Sequence, residues 1–160
     1  MADGQAVFSV AHANLAGASG ALSVGALATA KASMRLQKGV DNATILNIVP
    51  RYLTVPAALE PTADVIVGAL WPAVVEDSNV AVRNLEVVTD PRLDGSSATA
   101  WYLFADPNLA PSLSVAYLEG EEQPMVETRD GWQVDATELK VRFSLAAYWG
   151  CWRGAFKNAG

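Results

Sequence analysis

Residues 139–148 read LKVRFSLAAY, and this stretch carries the clearest periodic signal of the chain. Apolar side chains alternate there with polar or small ones: Leu139, Val141, Phe143 and Leu145 against Lys140, Arg142, Ser144 and Ala146. Successive side chains of a β-strand point to opposite faces, so a period of two is typical of a half-buried strand. The stretch therefore predicts one strand with an apolar and a polar face.

Four more segments of the second half are strand-like: 84–89, 98–104, 113–118 and 125–128. Turn dipeptides such as Asp90-Pro91, Asp106-Pro107 and Asp130-Gly131 separate the strand-like segments. Strands at such short spacing, with turn residues between them, favour an antiparallel arrangement. We expect an antiparallel sheet in the second half.

The pattern changes to a helical one in residues 23–38, where apolar side chains recur at three- and four-residue steps: Val24, Leu27, Ala30 and Met34. Ser23 is a suitable N-cap, and Gly39 stands where a left-handed C-terminal residue is expected. The sequence predicts a helix over 23–38.

A second helix is predicted after Pro56, with one apolar face and an end at Trp71-Pro72; the face comprises Leu59, Ala63, Ile66 and Leu70. Pro61 removes a hydrogen bond, so this helix either starts afresh there or bends. Short β-favouring runs at 44–49 and 52–55 precede it, and the neighbouring Pro50 and Pro56 confine them to sheet edges or breaks. Residues 1–20 read as irregular apart from a short strand at 6–10. Two helices followed by a sheet make α+β the expected fold class.

Composition restricts the function. The chain has 160 residues, with 11 Lys and Arg against 17 Asp and Glu, and a net charge of -6. An acidic chain of this length fits one domain and disfavours broad binding to nucleic acid phosphates. One cysteine excludes an intrachain disulfide, and one histidine excludes a His-rich metal site. No cofactor is expected. The glycine- and serine-interrupted N-terminus predicts neither a secretory signal nor a membrane span.

Candidate catalytic residues are few. Ser19 lies in Gly17-Ala18-Ser19-Gly20, which resembles half of a nucleophile elbow, and Cys151 lies near Arg153, which could lower the pKa of its thiol. A flexible loop around Ser19, a buried Cys151 and a structural imidazole at His12 are the favoured interpretations. A hydrolase using Ser19 or Cys151 is therefore the weakest alternative.

The acidic side chains of the predicted turns and loops are expected to be solvated, and the aromatic cluster near the C-terminus favours packing or a subunit contact. Glu119, Glu121 and Glu122 surround Gly120, and the turn acids Asp90 and Asp94 do not fit the ligand spacing of a calcium loop. Near the C-terminus, aromatic side chains interleave with basic ones: Trp149, Trp152 and Phe156 with Arg153 and Lys157. In an acidic chain this pattern favours packing or a subunit contact over stacking on bases.

Several ordered blocks of sequence together resemble a known family. They are Phe8-Ser9 and His12–Leu15, the helix with Leu27 and Met34, LNIVPRYLTVP at 46–56, WYLFADP at 101–107, VAYLEG at 115–120, and WRGAFKNAG at 152–160. In order and spacing these blocks are similar to the C-terminal half of the major head subunit of Mu-like tailed phages and prophages. That family includes chains in which a prohead protease precedes the capsid protein.

This resemblance implies the tailed-phage (Hong Kong 97-like) capsid fold, with a peripheral helix and sheet and an axial domain. By analogy, residues 23–38 form a peripheral helix, residues 50–70 lead through the axial domain, and 152–154 return to the peripheral side. We expect a single capsid-like domain over residues 1–160. The N-terminal arm and the extended loop of the family are expected to be absent.

The implied function is that of a structural subunit that self-associates into the capsomers of an icosahedral shell. Its partners would be copies of itself and a prohead protease or scaffold, with assembly in the bacterial cytoplasm and a final place in the virion. Neither specific nucleic acid recognition nor a membrane is implied. The candidate subunit contacts are Glu119, Glu121, Glu122, Arg142, Trp149, Trp152, Arg153 and Lys157. The alternative is a phage decoration or adaptor module.

Overall fold

A computed structural model describes residues 4–68, 84–131 and 135–160. The helices are α1 (Val24–Arg35) and α2 (Glu60–Gly68). The strands are β1 (Pro50–Val55), β2 (Glu86–Thr89), β3 (Trp101–Ala105), β4 (Leu113–Tyr117), β5 (Met125–Asp130), β6 (Thr137–Arg142), β7 (Leu145–Trp149) and β8 (Ala155–Asn158). This mixture of helix and sheet is compatible with the α+β class.

The chain divides into two compact units. The first comprises Met1–Ser112 and Trp149–Gly160, and the second comprises Leu113–Tyr148. The first unit contains both helices and a four-stranded sheet in the order β2-β1-β3-β8. The second contains the β5–β6 pair and β4 paired with β7, whose last residue, Trp149, belongs to the first unit.

Helix α1 has the cap and the buried face that the sequence predicts. The Ser23 hydroxyl accepts a hydrogen bond from the Ala26 N–H at 3.2 Å, and Leu27, Ala30 and Met34 are buried. The helix ends at Arg35, however, and Gly39 is not left-handed.

The predicted extension to residue 38 is wrong because Gln37 forms bonds outside the helix. The side-chain amide of Gln37 donates to the His12 backbone carbonyl at 2.9 Å. The Gln37 carbonyl accepts from the Leu46 N–H at 2.9 Å, and the Gly39 N–H donates to the Thr44 carbonyl at 2.8 Å. These bonds turn the chain into a hairpin-like loop after α1.

The main sheet is mixed, which corrects the expected antiparallel sheet. Strand β1 runs parallel to β2 and antiparallel to β3, and β3 pairs antiparallel with β8. The expectation that prolines confine the 52–55 run to an edge or break is also wrong, because β1 is an inner strand. Pro50 is tolerated because it is the first residue of β1, where the register shifts.

Strand β8 was not predicted from the sequence. Residues 14–16 cover its outer edge, where the Lys157 N–H donates to the Asn14 carbonyl and the Ala16 N–H donates to the Lys157 carbonyl, each at 2.9 Å. The backbone groups of β8 are therefore satisfied on both sides, which stabilises a short strand that has little intrinsic signal.

The core of the first unit lies between this sheet and the helices. Its fully buried side chains include Leu27 and Met34 of α1, Leu53 and Val55 of β1, and Trp101 and Leu103 of β3. Alternate residues of β1 and β3 face this core, as a period of two requires.

Helix α2 starts afresh next to Pro61, one of the two alternatives that the sequence left open. The helix begins at Glu60, so Pro61 lies in its first turn, where no backbone N–H is needed. Ala63 is buried, and Leu59 and Ile66 pack against the core. The predicted face position Leu70 and the predicted end at Trp71-Pro72 lie outside the described residues.

Two predicted strands of the first unit do not form. Residues 6–10 turn instead, because the Asn14 side chain accepts from the Ser9 N–H at 3.0 Å and donates to the Val7 carbonyl at 2.9 Å. Residues 44–49 form only a bridge between Lys38 and Ile45, since Asn47 has a left-handed backbone with φ of 49°.

The strand predicted over 139–148 is two strands in different sheets. Strand β6 pairs with β5, and β7 pairs with β4. At the break, the Ser144 hydroxyl donates to a Glu121 carboxylate oxygen at 2.5 Å. The periodicity passes through the break without interruption, so it could not reveal the break.

Candidate subunit-contact surface

The second unit presents apolar strand faces to its surroundings. Leu113, Val115 and Tyr117, which are alternate residues of β4, are all at least half exposed. Leu139 of β6 is 65% exposed, and Leu145 of β7 is 54% exposed. Apolar alternation usually marks a half-buried strand. Here the apolar face of these strands is left open by the part of the chain that the structure describes.

The predicted acidic contact residues lie at the surface of the same unit. Glu119 and Glu122 are exposed, whereas Glu121 is half-buried. A Glu121 carboxylate oxygen lies 2.7 Å from a guanidinium nitrogen of Arg142. These two predicted contact residues are therefore paired within one chain, which leaves Glu119 and Glu122 as the acidic groups without an ion pair in the described part of this segment.

The predicted aromatic contact residues are half-buried and pack within the first unit. Trp149 contacts the Phe8 ring at a centroid distance of 5.6 Å and the Phe104 ring at 6.3 Å. Trp152 stacks on the His12 ring at 4.2 Å with an interplanar angle of 7°. Both tryptophans therefore stabilise the first unit whether or not they also meet a neighbour.

The basic residues of the C-terminal segment have different surroundings. The Arg153 guanidinium carbon lies 4.2 Å from the Trp152 ring centroid, and its Nε donates to the Lys38 carbonyl at 2.7 Å. The Lys157 ammonium lies 5.8 Å from the centroid of the Tyr102 ring. Arg153 and Trp152 line an open groove together with residues at and beyond the end of α1, among them Leu36, Lys38 and Asn42.

The candidate catalytic residues differ in their surroundings, and only His12 is buried among them. His12 is buried, and its Nδ1 lies 3.0 Å from the Val7 carbonyl. Ser19 is exposed, in keeping with a loop. Cys151, which was expected to be buried, is only half-buried, and its backbone N–H donates to the Pro111 carbonyl at 3.1 Å. The contacts of His12 are those of a packing residue.

The turn acids accept hydrogen bonds from the protein itself. The Asn108 N–H and the Arg51 guanidinium hold the pKa of Asp106 below its usual value, and Arg92 does the same for Asp90. The Asp94 carboxylate accepts from the Ala57 N–H at 2.9 Å and from the Ala58 N–H at 3.3 Å. In residues 4–68, 84–131 and 135–160, no group of three or more His, Cys, Asp or Glu could hold a metal ion.

A family model described as phage capsid protein matches residues 1–158. The chain belongs to the phage capsid protein family. No curated protein and no solved structure matches this capsid protein.

Membership indicates a structural role in the virion, not an enzymatic one. None of the helices in the described part of the capsid protein is long and apolar enough to cross a membrane. The contact residues predicted from charge and aromatic character omitted the exposed apolar side chains of β4–β7. The signal that could have found them is the apolar alternation of residues 113–117 and 139–145, although alternation alone does not distinguish a covered face from an open one.

Proposed function

We propose that this capsid protein is a self-associating subunit that forms capsomers of an icosahedral shell. It corresponds to the C-terminal half of a Mu-like major head subunit, and its two units are parts of one capsid-like domain with the tailed-phage fold. The exposed apolar faces of the second unit carry the proposal of self-association. Because a two-stranded sheet is marginally stable alone, such faces require a covering partner.

The charge distribution supports contacts between unlike surfaces of neighbouring copies. Glu119 and Glu122 lie in the second unit, and Arg153 and Lys157 lie in the first. Closed rings of identical subunits use such heterologous contacts, in which one patch meets a different patch. Arg142 contributes less to this pairing than its charge suggests, because Glu121 already neutralises it.

Charge reversal tests this pairing. The double variant Arg153→Glu/Lys157→Glu is expected to weaken self-association more at low salt than at high salt, since salt screens exposed charges. Association that is the same in wild type and variant at both salt concentrations would remove these residues from the contact.

A prohead protease or a scaffold is the further partner of the proposed assembly route, and assembly takes place in the bacterial cytoplasm.

Sedimentation velocity over a hundredfold range of protein concentration tests self-association itself. Pentamers, hexamers or larger closed particles are the expected species. A monomer at every concentration would contradict the proposal for this chain. A monomer that binds to preassembled heads of the same phage would instead support the decoration or adaptor alternative.

A further inference from the structure

The β5–β6 hairpin has two chemically different faces. Residues directly opposite each other in an antiparallel pair share a face, and the register pairs Val126 with Val141 and Thr128 with Leu139. This apolar face is open, with Val126 57% exposed and Leu139 65% exposed.

The opposite face of the hairpin carries its own ion pairs. Arg129 contacts Glu138 at 2.6 Å, and Lys140 contacts Glu127 at 3.2 Å. These charges neutralise one another across the strands, so the charged face needs no external partner. The apolar face is the one that needs cover.

The end of the hairpin where Asp130 and Thr137 pair, next to the connection between β5 and β6, is acidic. Asp130 pairs in register with Thr137 and lies on the apolar face, and Asp135 follows in the turn. Neither carboxylate forms an ion pair within residues 4–68, 84–131 and 135–160. A partner of the apolar face is therefore expected to bring positive charge to this end.

The first unit offers a surface of the complementary kind. The groove at the end of α1 is lined by Leu36 and by the basic residues Lys38 and Arg153. The hairpin-like loop beyond it exposes further apolar side chains, among them Ile45 and Val40, which is 90% exposed. This surface combines exposed apolar side chains with two cations. The hairpin combines an exposed apolar face with two carboxylates at or near one end.

We propose that the apolar face of the β5–β6 hairpin of one copy docks on the groove and loop at the end of α1 of a neighbouring copy. Asp130 and Asp135 then face Lys38 and Arg153, while Val126, Leu139 and Val141 cover Leu36, Val40 and Ile45. The inference rests on the proposed self-association and names its contact, in which Arg153 faces Asp130 and Asp135 rather than Glu119 and Glu122. Each copy supplies both surfaces, so the contact is heterologous and propagates from subunit to subunit.

A pair of double variants tests the apolar half of this contact. Leu139→Thr/Val141→Thr keeps two β-favouring residues in β6 but removes most of the apolar face. The matched control, Glu127→Gln/Lys140→Gln, alters the opposite face of the same hairpin; both double variants keep the net charge. In sedimentation velocity, the first is expected to raise the concentration needed for association at least tenfold, and the control is expected to match wild type.

Charge exchange tests the partner surface. Asp130→Lys/Asp135→Lys and Lys38→Glu/Arg153→Glu are each expected to associate more weakly than wild type when alone. Mixing the two variants restores opposite charges at the contact, so association is expected to recover in the mixture. Recovery also shows that both variants remain folded, because a misfolded chain would not rebuild the contact.

The outcomes separate the two proposals. Wild type that associates, with threonine variants that associate equally well or charge variants that fail to recover on mixing, overturns the hairpin contact and leaves self-association intact. Wild type that remains monomeric overturns both. Recovery on mixing, together with loss in the threonine variant alone, supports the contact.

Discussion

At the scale of single residues, Gly154 shows how little room the turn before β8 has. A Cβ atom at this position would lie 2.6 Å from both the Ala110 carbonyl oxygen and the Ser112 hydroxyl oxygen. One of these groups belongs to the backbone, so it cannot simply rotate away. Gly154 is therefore required by close approach, although its own backbone conformation is one that other residues adopt.

We expect Gly154→Ala to lower the free energy of unfolding by about 1–3 kcal/mol, the usual range for overpacking. Urea unfolding followed by tryptophan fluorescence measures this change. Gly17→Ala is the matched control, because a Cβ there meets nothing within 4 Å. Equal stability of the two variants would show that the 110–112 segment moves aside.

Asp106 links stability to pH. Its carboxylate accepts from the Asn108 N–H at 2.9 Å and pairs with the Arg51 guanidinium. These contacts lower the pKa of Asp106 in the folded chain, so they stabilise the fold above the unfolded-state pKa of about 4. That stabilisation is lost as the pH falls through the folded pKa.

Asp106→Asn is therefore expected to be less stable than wild type at pH 7, with a difference that shrinks below about pH 4. Thermal unfolding at a series of pH values measures it. Arg51→Gln keeps the Asn108 bond and is expected to remove only part of the pH dependence. A stability difference that stays constant down to pH 3 would assign the effect to something other than ionisation.

At the scale of elements, the α2 region depends on a side chain from another part of the chain. Asp94 lies in a short 3-10 turn, Pro91–Gly95, and caps the 3-10 turn Ala57–Leu59 that leads into α2. The sequence indicated Asp94 as a turn acid, and only the folded chain shows which N–H groups it binds.

Asp94→Ala is expected to cost about 1 kcal/mol of stability, as loss of an N-terminal cap usually does. Asp94→Asn keeps one carbonyl acceptor and is expected to cost less. Chemical denaturation with far-UV circular dichroism measures both. An alanine variant as stable as wild type would mean that water replaces the carboxylate without loss.

The same scale shows where sequence patterns were sufficient. The spacing of Leu27, Ala30 and Met34 predicts the buried face of α1, because a helix repeats every 3.6 residues whatever surrounds it. The end of α1 was mispredicted, since Gln37 binds the carbonyl of His12, which is 25 residues away. A local pattern contains no information on such a partner.

At the scale of the whole molecule, the two units differ in how their strands are covered. Strand β3 of the first unit buries Trp101 and Leu103 completely, whereas every residue of β5 and β6 in the second unit is exposed. Backbone hydrogen bonds in poorly covered strands open more readily than those in a packed core.

We therefore expect amides of residues 113–148 to exchange hydrogen faster than those of β3 in the unassembled subunit. On assembly, protection is expected to rise in 113–148 and to change little in β3. Hydrogen-exchange mass spectrometry of both states measures this, with β3 peptides as the internal reference. Equal protection of the two units before assembly would contradict the expectation that the strands of the second unit open more readily.

The sequence by itself determined the strand character of residues 139–142, the core face of α1 and the resemblance to phage head proteins, because these depend on local periodicity and on ordered blocks of residues. Tertiary structure decided which strands are covered. Leu103 and Leu139 both occupy one face of a β-strand, yet the first is buried and the second is 65% exposed. The physical reason is that alternation fixes which side of a strand a residue occupies, whereas burial depends on what distant segments, or a neighbouring copy, bring to that side.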